Sequence, residues 1–370
     1  MSFEPDEDQQ ELVALIRDVL GQRADAASTR TALESADRFD ADLWRLLCEE
    51  IGVAGMAVPE EFGGAGYTLR ESQLLLEELG HSLSPSPYLG SVAIAAQAIL
   101  ASGDADAAER LLPGIVEGSS SAALAWADAA GRLAPEQVDV RAVQDGDTWT
   151  LSGTCGFVLD GMPADVIIAI AQTDAGPRLF EIVDADAVTR REIETMDLTL
   201  RLAEFTFDGT PARALGDADP AVLDQVRALA LAAVSAVQVG TAARALEMTV
   251  EYALQRVQFG RQIGSFQAIK HRLADMHVQA EVARTASRAA SAALADTAAD
   301  RLELAAIAKV TCSEALSHIA AETIQLHGGI AITWEHDAHL IFKRAHALGQ
   351  LFGSPREERA RAEDWALARL

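Results

Sequence analysis

Gln255-Arg256-Val257-Gln258-Phe259-Gly260-Arg261-Gln262-Ile263-Gly264-Ser265-Phe266-Gln267 is a short break between two long helical patterns. Upstream, Val222–Arg256 is Ala-rich and nearly free of breakers. Asp219-Pro220 marks its start, with an Asp at the N-cap and a proline at the first helical position. Gly260 and Gly264 end the pattern, and Ser265 is predicted to cap a second helix that runs to about Thr297. Asp300 is predicted to cap a third, which stops at Gly328-Gly329. Three long helices with short links predict a bundle.

Working outward, residues 1–117 also read as helical. Leu12, Val13, Leu15, Ile16 and Leu20 form a 3.6-residue stripe, and Leu43, Trp44, Leu46 and Leu47 form another. Val58-Pro59-Glu60-Glu61-Phe62-Gly63-Gly64-Ala65-Gly66 is a loop by its breakers, and helices are predicted over Leu69–Gly80 and Ser91–Ser102. Residues 118–214 change character. Val138–Val143, Trp149–Ser152, Val166–Gln172, Arg178–Ile182 and Ala203–Phe207 are short runs, several of them alternating, which predict a small antiparallel β-domain. Gly146 and Asp147 sit at a hairpin turn. The tail, 215–370, ends in a helix around Ala338–Leu348, a break at Gly353-Ser354-Pro355 and a polar Arg/Glu-rich helix. The reading is an α+β chain of three domains: helical, small β-barrel or sheet, and long-helix bundle.

Among 370 residues, Lys plus Arg is 30 and Asp plus Glu is 56, a net charge of −26. Nucleic-acid phosphates and anionic lipid surfaces both repel such a chain. No long apolar run looks free of polar breaks, so no membrane span is expected. The acidic start, MSFEPDEDQQ, lacks the apolar region of a secretory leader. Cys48, Cys155 and Cys312 are odd in number and far apart, which fits neither a disulfide framework nor a zinc site. A reducing cytoplasm is the expected compartment.

Two segments then carry more. The Arg256-to-Gln267 stretch, with Ala274-Asp275-Met276 beyond it, and Gln325-Leu326-His327-Gly328-Gly329-Ile330 together resemble the acyl-CoA dehydrogenase family. That family carries R-x-x-F-G-x-x-I-x-x-F-Q in the first segment. The region around Trp44 and the VPEEFGGAG loop resemble its N-terminal domain, so the similarity runs nearly end to end. The resemblance implies a tetrameric flavoprotein of lipid or steroid side-chain β-oxidation. A Glu takes the α-proton of an acyl-CoA thioester, FAD takes the β-hydride, and an electron-transfer flavoprotein reoxidises the flavin. It also implies an FAD laid across a subunit interface. Arg256 then pairs with the pyrophosphate as a fixed, planar cation. Gln258 donates nearby, Phe259 packs on the cofactor, and Gln325, Gly328 and Gly329 let backbone approach the diphosphate and adenosine. Taken alone, Arg256 reads equally as an ion-pair partner of Glu251, and Gly328-Gly329 as a helix stop.

The rest of the family's site is eroded. Where members carry T-E-P-x-A-G-S-D against the flavin ring, this chain reads Ala125-Trp126-Ala127-Asp128-Ala129-Ala130-Gly131-Arg132-Leu133. The family's K-x-W-I-T-N run is here Cys155-Gly156-Phe157-Val158-Leu159-Asp160, which keeps an aromatic and loses the hydroxyl. The usual position of the catalytic Glu falls on Phe352, and the alternative position on Ala230-Leu231. Glu247 and Glu335 are the remaining candidates for a relocated base; an ion-pairing helix acid and a solvated loop acid are the plain readings of each. Arg261, Lys270, His271 and Arg272 offer local positive charge for the anionic CoA, and a solvated helix face explains them equally well.

This asymmetry resembles the less catalytic subunit of the bacterial α2β2 steroid side-chain enzymes, completing the FAD site of a partner chain. Two other readings stand beside it: a self-sufficient homotetramer, and a non-catalytic scaffold of the same fold. A di-iron bundle is excluded, because Glu78-Leu79-Gly80-His81 is the single Glu-x-x-His spacing and it straddles a helix end.

Overall fold

The computed structural model describes residues 3–35, 38–129, 138–146 and 148–368. Its helices are α1 (Glu7–Arg23), α2 (Ala26–Glu34), α3 (Ala41–Leu46), α4 (Leu69–Ser82), α5 (Gln97–Ala101), α6 (Ala105–Val116), α7 (Pro220–Gln255), α8 (Gln267–Ala295), α9 (Arg301–His327), α10 (Ala338–Gln350) and α11 (Pro355–Ala368). Between α6 and α7 lie β1 (Ala122–Ala125), β2 (Arg141–Asp145), β3 (Thr148–Leu159), β4 (Val166–Thr173), β5 (Gly176–Ile182), β6 (Thr189–Ile193) and β7 (Leu202–Ala214). β8 (Val257–Gln258) and β9 (Arg261–Gln262) form a hairpin after α7. Several starts follow from local chemistry. Asp6 and Gln9 form a reciprocal capping box on α1, and Asp40 and Asp104 accept from Leu43 N and Ala107 N on α3 and α6.

The chain divides into two compact units. The first comprises Met1–Thr31, Gln73–Ser84 and Leu231–Leu370, and is a helical bundle. Here α4 and α7 touch backbone to backbone. A Cβ on Gly240 would lie 1.8 Å from Glu77 O, and one on Gly80 would lie 2.3 Å from Val237 O. Thr241 Oγ1 donates to Gly80 O at 3.1 Å and fixes that crossing. Val239, Ala283, Cys312 and Ala315 form a tight core cluster of α7, α8 and α9, whose small side chains suit close helix packing.

The second unit comprises Ala32–Ser72 and Pro85–Ala230, and holds the sheet. The strand path is β1-β4-β2-β3-β7-β5, with β6 on β7, and a β4–β5 pairing closes β4, β2, β3, β7 and β5 into a ring. The sheet is mixed rather than antiparallel, because β1 and β2 both pair with β4 in parallel. β1 is buried along its whole length, so it lacks the alternation that reveals a strand in sequence. β3 runs through Cys155 to Leu159, well past the predicted Ser152, with bulges against β7. Gly146 turns at φ 60°, as expected of the hairpin, while Asp147 lies outside the described residues.

Three further expectations are corrected. Asp300 occupies the N-cap position of α9 but makes no side-chain capping hydrogen bond. Ser265 does not cap α8; its hydroxyl donates back to Gln262 O at 2.6 Å, and Phe266 holds the N-cap position without a side-chain cap. α7 does contain a window apolar enough by composition to span a bilayer, yet 94% of that window is buried within the protein, as in the core helix of a bundle.

Candidate functional site

α7 ends in a two-residue hairpin. Val257 pairs with Gln262 and Gln258 with Arg261, so Phe259-Gly260 forms the turn, with φ of 53° and 76°. Two positive φ values match the right-handed twist of a hairpin and normally select Asn-Gly. A bulky Phe at the first position is a genuine outlier, and its ring is 91% exposed. Ile263 N donates to Arg256 O at 2.8 Å, which ties the hairpin base. The Arg261 guanidinium lies 3.9 Å from the centre of the Phe266 ring, so its charge is spent on that stack. Arg256 and Gln258 face solvent, and among the described residues Arg256 has no ion pair, with Glu251 or any other acid.

α9 ends at the second motif. Gly328 adopts φ 66° and ψ −144°, a region open only to glycine. Gly329 is different: its φ is not positive, and a Cβ there would meet no atom within 4 Å. The protomer's own packing does not demand a glycine at 329. Gln325 is exposed one helical turn earlier.

Cross-links between α7 and α9 bring the two ends together. Gln238 Nε2 donates to Ser313 Oγ at 2.9 Å, Thr249 Oγ1 to Thr323 Oγ1 at 3.0 Å, and Tyr252 stacks on His327 with ring centroids 4.4 Å apart. The two helices therefore run parallel, and the arginine hairpin and the diglycine turn emerge at the same end. His327 Nδ1 lies 2.8 Å from Thr323 O. A carbonyl only accepts, so that nitrogen carries the proton. Burial holds the His327 pKa below the usual imidazole value, and the ring stays neutral. Burial also lowers His336, whose ring centroid is 4.7 Å from that of His327. Ile330, Ile332, Trp334, Leu254 and Val257 are all large, apolar and exposed near this end. The donor set fits a diphosphate-bearing cofactor: one unpaired planar cation, two exposed amides and a diglycine backbone.

The positions where the family keeps its base hold no carboxylate. Phe352 is buried at φ 59° in the turn between α10 and α11, and Ala230 and Leu231 are fully buried within α7. Glu247 is hydrogen-bonded to His81 Nε2 at 2.7 Å, and this bond holds its carboxyl below the usual range. Glu335 is exposed in the loop before α10, and backbone and Thr333 hydrogen bonds likewise lower its pKa. Arg272 forms a bidentate pair with Glu322, while Lys270 and His271 are exposed. Among the described residues no cluster of His, Cys, Asp and Glu could hold a metal. The three cysteines are buried and reduced, with thiol pKa values pushed up to about 12.

In the sheet unit, Trp126 is 2% exposed, and among the described residues its indole N–H has no acceptor. The Ala130–Leu133 part of that motif lies outside the described residues. Phe157 sits at φ 54° in the β3 bulge, half exposed. Leu159 is buried in register with Leu202. Asp160, also at φ 54°, is buried beside Arg201, and desolvation raises its pKa to about 6. Neither the Asp160–Arg201 pair nor the Tyr252–His327 stack was foreseen.

A small closed sheet flanked in sequence by helices, with an arginine hairpin and a diglycine turn at one end of a bundle, is the architecture of a flavin-linked dehydrogenase. Sequence profiles for the acyl-CoA dehydrogenase N-terminal and C-terminal domains match residues 6–119 and 227–358. Acyl-CoA dehydrogenase IpdE2 of Mycobacterium tuberculosis is 39% identical, covering 98% of both chains. A variant of the steroid acyl-CoA dehydrogenase Tcur3481-Tcur3483 superposes with a TM-score of 0.90 at 34% identity, covering 98% of each chain. The ChsE4-ChsE5 complex of Mycobacterium tuberculosis superposes with a TM-score of 0.92 at 29% identity, covering 100% of each. The chain belongs to the acyl-CoA dehydrogenase family, FAD-dependent oxidoreductases that act on CH–CH bonds.

Proposed function

We propose that this chain is one subunit of a hetero-oligomeric acyl-CoA dehydrogenase and completes the FAD site of a partner chain that carries the catalytic Glu. The observation that carries this reading is the shared end of α7 and α9. It displays Arg256, Gln258, Phe259, Gln325 and Gly329 outward, while positions 230, 231 and 352 offer no carboxylate. Arg256 holds the pyrophosphate through its guanidinium fork, and the amides of Gln258 and Gln325 donate beside it. Phe259, already held in its unfavourable turn conformation, covers the cofactor edge and excludes water. FAD, when bound, supplies the acceptor for the β-hydride.

The acyl group is assigned to the steroid side-chain class, supported by the similarity to the steroid acyl-CoA dehydrogenase Tcur3481-Tcur3483. An electron-transfer flavoprotein is the assigned electron acceptor, and the cytoplasm the assigned compartment.

The test is the visible absorbance spectrum and FAD-to-chain ratio of this protein, purified alone and then co-expressed with its partner. The reading expects a colourless chain alone and a yellow complex with one FAD shared by each pair of chains. A yellow homo-oligomer with a full complement of FAD would refute it and direct mutagenesis to Glu247 and Glu335.

A further inference from the structure

We infer that the cleft between α1, α2, α4, α7 and α10 in the helical unit is a binding site for a small aliphatic carboxylate. The cleft encloses about 300 Å³, the low end of the range for ligand pockets. Its apolar walls include the buried side chains of Leu20, Leu83 and Leu340.

Three irregularities meet there. Arg244, half-buried on α7, lines the cleft, and among the described residues it has neither a hydrogen bond nor an ion pair. Thr29 is 4% exposed, and among the described residues its buried Oγ1 has no partner. Leu83 adopts φ 58°, a conformation that a branched side chain rarely holds, and such strain gathers at binding sites. A protein rarely leaves a buried hydroxyl and a guanidinium unanswered in the same place.

The neighbouring charges set the ligand's charge. Arg17 is neutralised by Glu78 at 2.6 Å, Arg30 neutralises Asp337 at 2.8 Å, and His81 holds Glu247 at 2.7 Å. Asp25 accepts from Ser28 N at 2.7 Å, at the start of α2. Arg244 remains as the one cation in the cleft wall without a bonded anion among the described residues. A planar guanidinium fork matches a carboxylate in two parallel hydrogen bonds. A doubly charged phosphate would face Glu78, Asp25 and Asp337 across the same small space. A neutral alcohol would leave Arg244 as it is. The leucine walls take a short aliphatic tail.

Isothermal calorimetry with hexanoate tests this, with hexanol and inorganic phosphate as comparisons at matched ionic strength. Saturable hexanoate binding is expected, with no heat from hexanol and at least tenfold weaker binding of phosphate. Arg244→Gln is expected to weaken hexanoate at least tenfold. Thr29→Val is expected to weaken it about threefold, and Thr29→Ser to restore it. Because Thr29 Oγ1 has no partner among the described residues, Thr29→Val keeps its melting temperature and decides the matter if Arg244→Gln does not fold. Absent hexanoate binding, an equal response to hexanol or phosphate, or affinity unchanged in the folded variants would overturn the assignment.

Discussion

Tyr252 and His327 stack with ring centroids 4.4 Å apart and an interplanar angle of 27°, although one ends the first long helix and the other the third. Aromatic pairs of this geometry add about 0.5–1.5 kcal/mol beyond the area that they bury. Their larger effect here is positional. Each ring stands beside one of the two motifs, so the stack sets where the hairpin and the diglycine turn lie relative to one another.

Arg256 is the first residue to test. It is exposed and has no ion pair among the described residues, so Arg256→Met should leave stability within about 0.5 kcal/mol. FAD retention by the assembled complex should fall at least tenfold, and Arg256→Lys should recover only part of it, because a point charge cannot form two parallel bonds. Melting curves and FAD-to-chain ratios measure the two effects separately.

The two glycines of the turn should respond differently. Gly328→Ala forces a side chain to φ 66°, and the chain itself should lose about 1 kcal/mol or more. Gly329→Ala meets no atom within 4 Å, so the isolated chain should melt unchanged. In the complex it should still release FAD. A Gly329→Ala complex that retains its full FAD would remove the diglycine turn from the site.

Lys309 is fully buried, and its Nζ donates to Leu348 O at 2.7 Å, Gly349 O at 3.1 Å and Ser313 Oγ at 3.2 Å. Burial lowers its pKa to about 7 from 10.5, against the opposing pull of Glu358. The unfolded chain therefore binds more protons than the native one between about pH 7 and 10, and stability rises with pH across that window. The slope should approach about 1.4 kcal/mol per pH unit. Denaturant titrations at successive pH values should show the slope in the native chain and its loss in Lys309→Met.

Asp160 shifts the other way from the usual carboxylate. Burial raises its pKa from 3.8 to about 6, so the native state holds a proton that the unfolded chain has released. Its contribution to stability is present below pH 4 and is lost as pH rises towards 6. Asp160→Asn keeps an acceptor for Gly90 and carries no charge to desolvate. Above pH 6 it should be neutral or stabilising, and unfolding free energies at pH 5 and 7 should differ less than in the native chain.

The helix, sheet, helix order was legible because α1 and α9 bury residues at helical spacing, while α7, buried all round through its middle, shows itself as a long Ala-rich run without breakers. The Arg256 and diglycine motifs were legible through their family resemblance, but the hairpin that carries Arg256 was not, because Phe259-Gly260 departs from the usual Asn-Gly turn. The parallel strands escaped, since β1 is buried on both faces and shows no alternation. The partner of Glu247 escaped as well: His81 lies on another helix, and only tertiary packing brings the two within 2.7 Å. Ser265 looked like a cap from its type and position, yet it lies in the tight turn before α8, where its hydroxyl donates back to Gln262 O and Phe266 takes the N-cap position. Local rules place residues in elements. They do not choose among partners that become available only when the elements meet.

The cross-links from Gln238 to Ser313, Thr249 to Thr323 and Tyr252 to His327 keep a nearly constant sequence offset. Insertion of a single residue within either of those stretches would rotate everything beyond it by about 100° and break every later rung. Length changes in descendants of this chain should therefore collect in the link between α8 and α9, residues 296–300. The rungs between Gln238 and Tyr252, and between Ser313 and His327, should accept substitutions but no change of count.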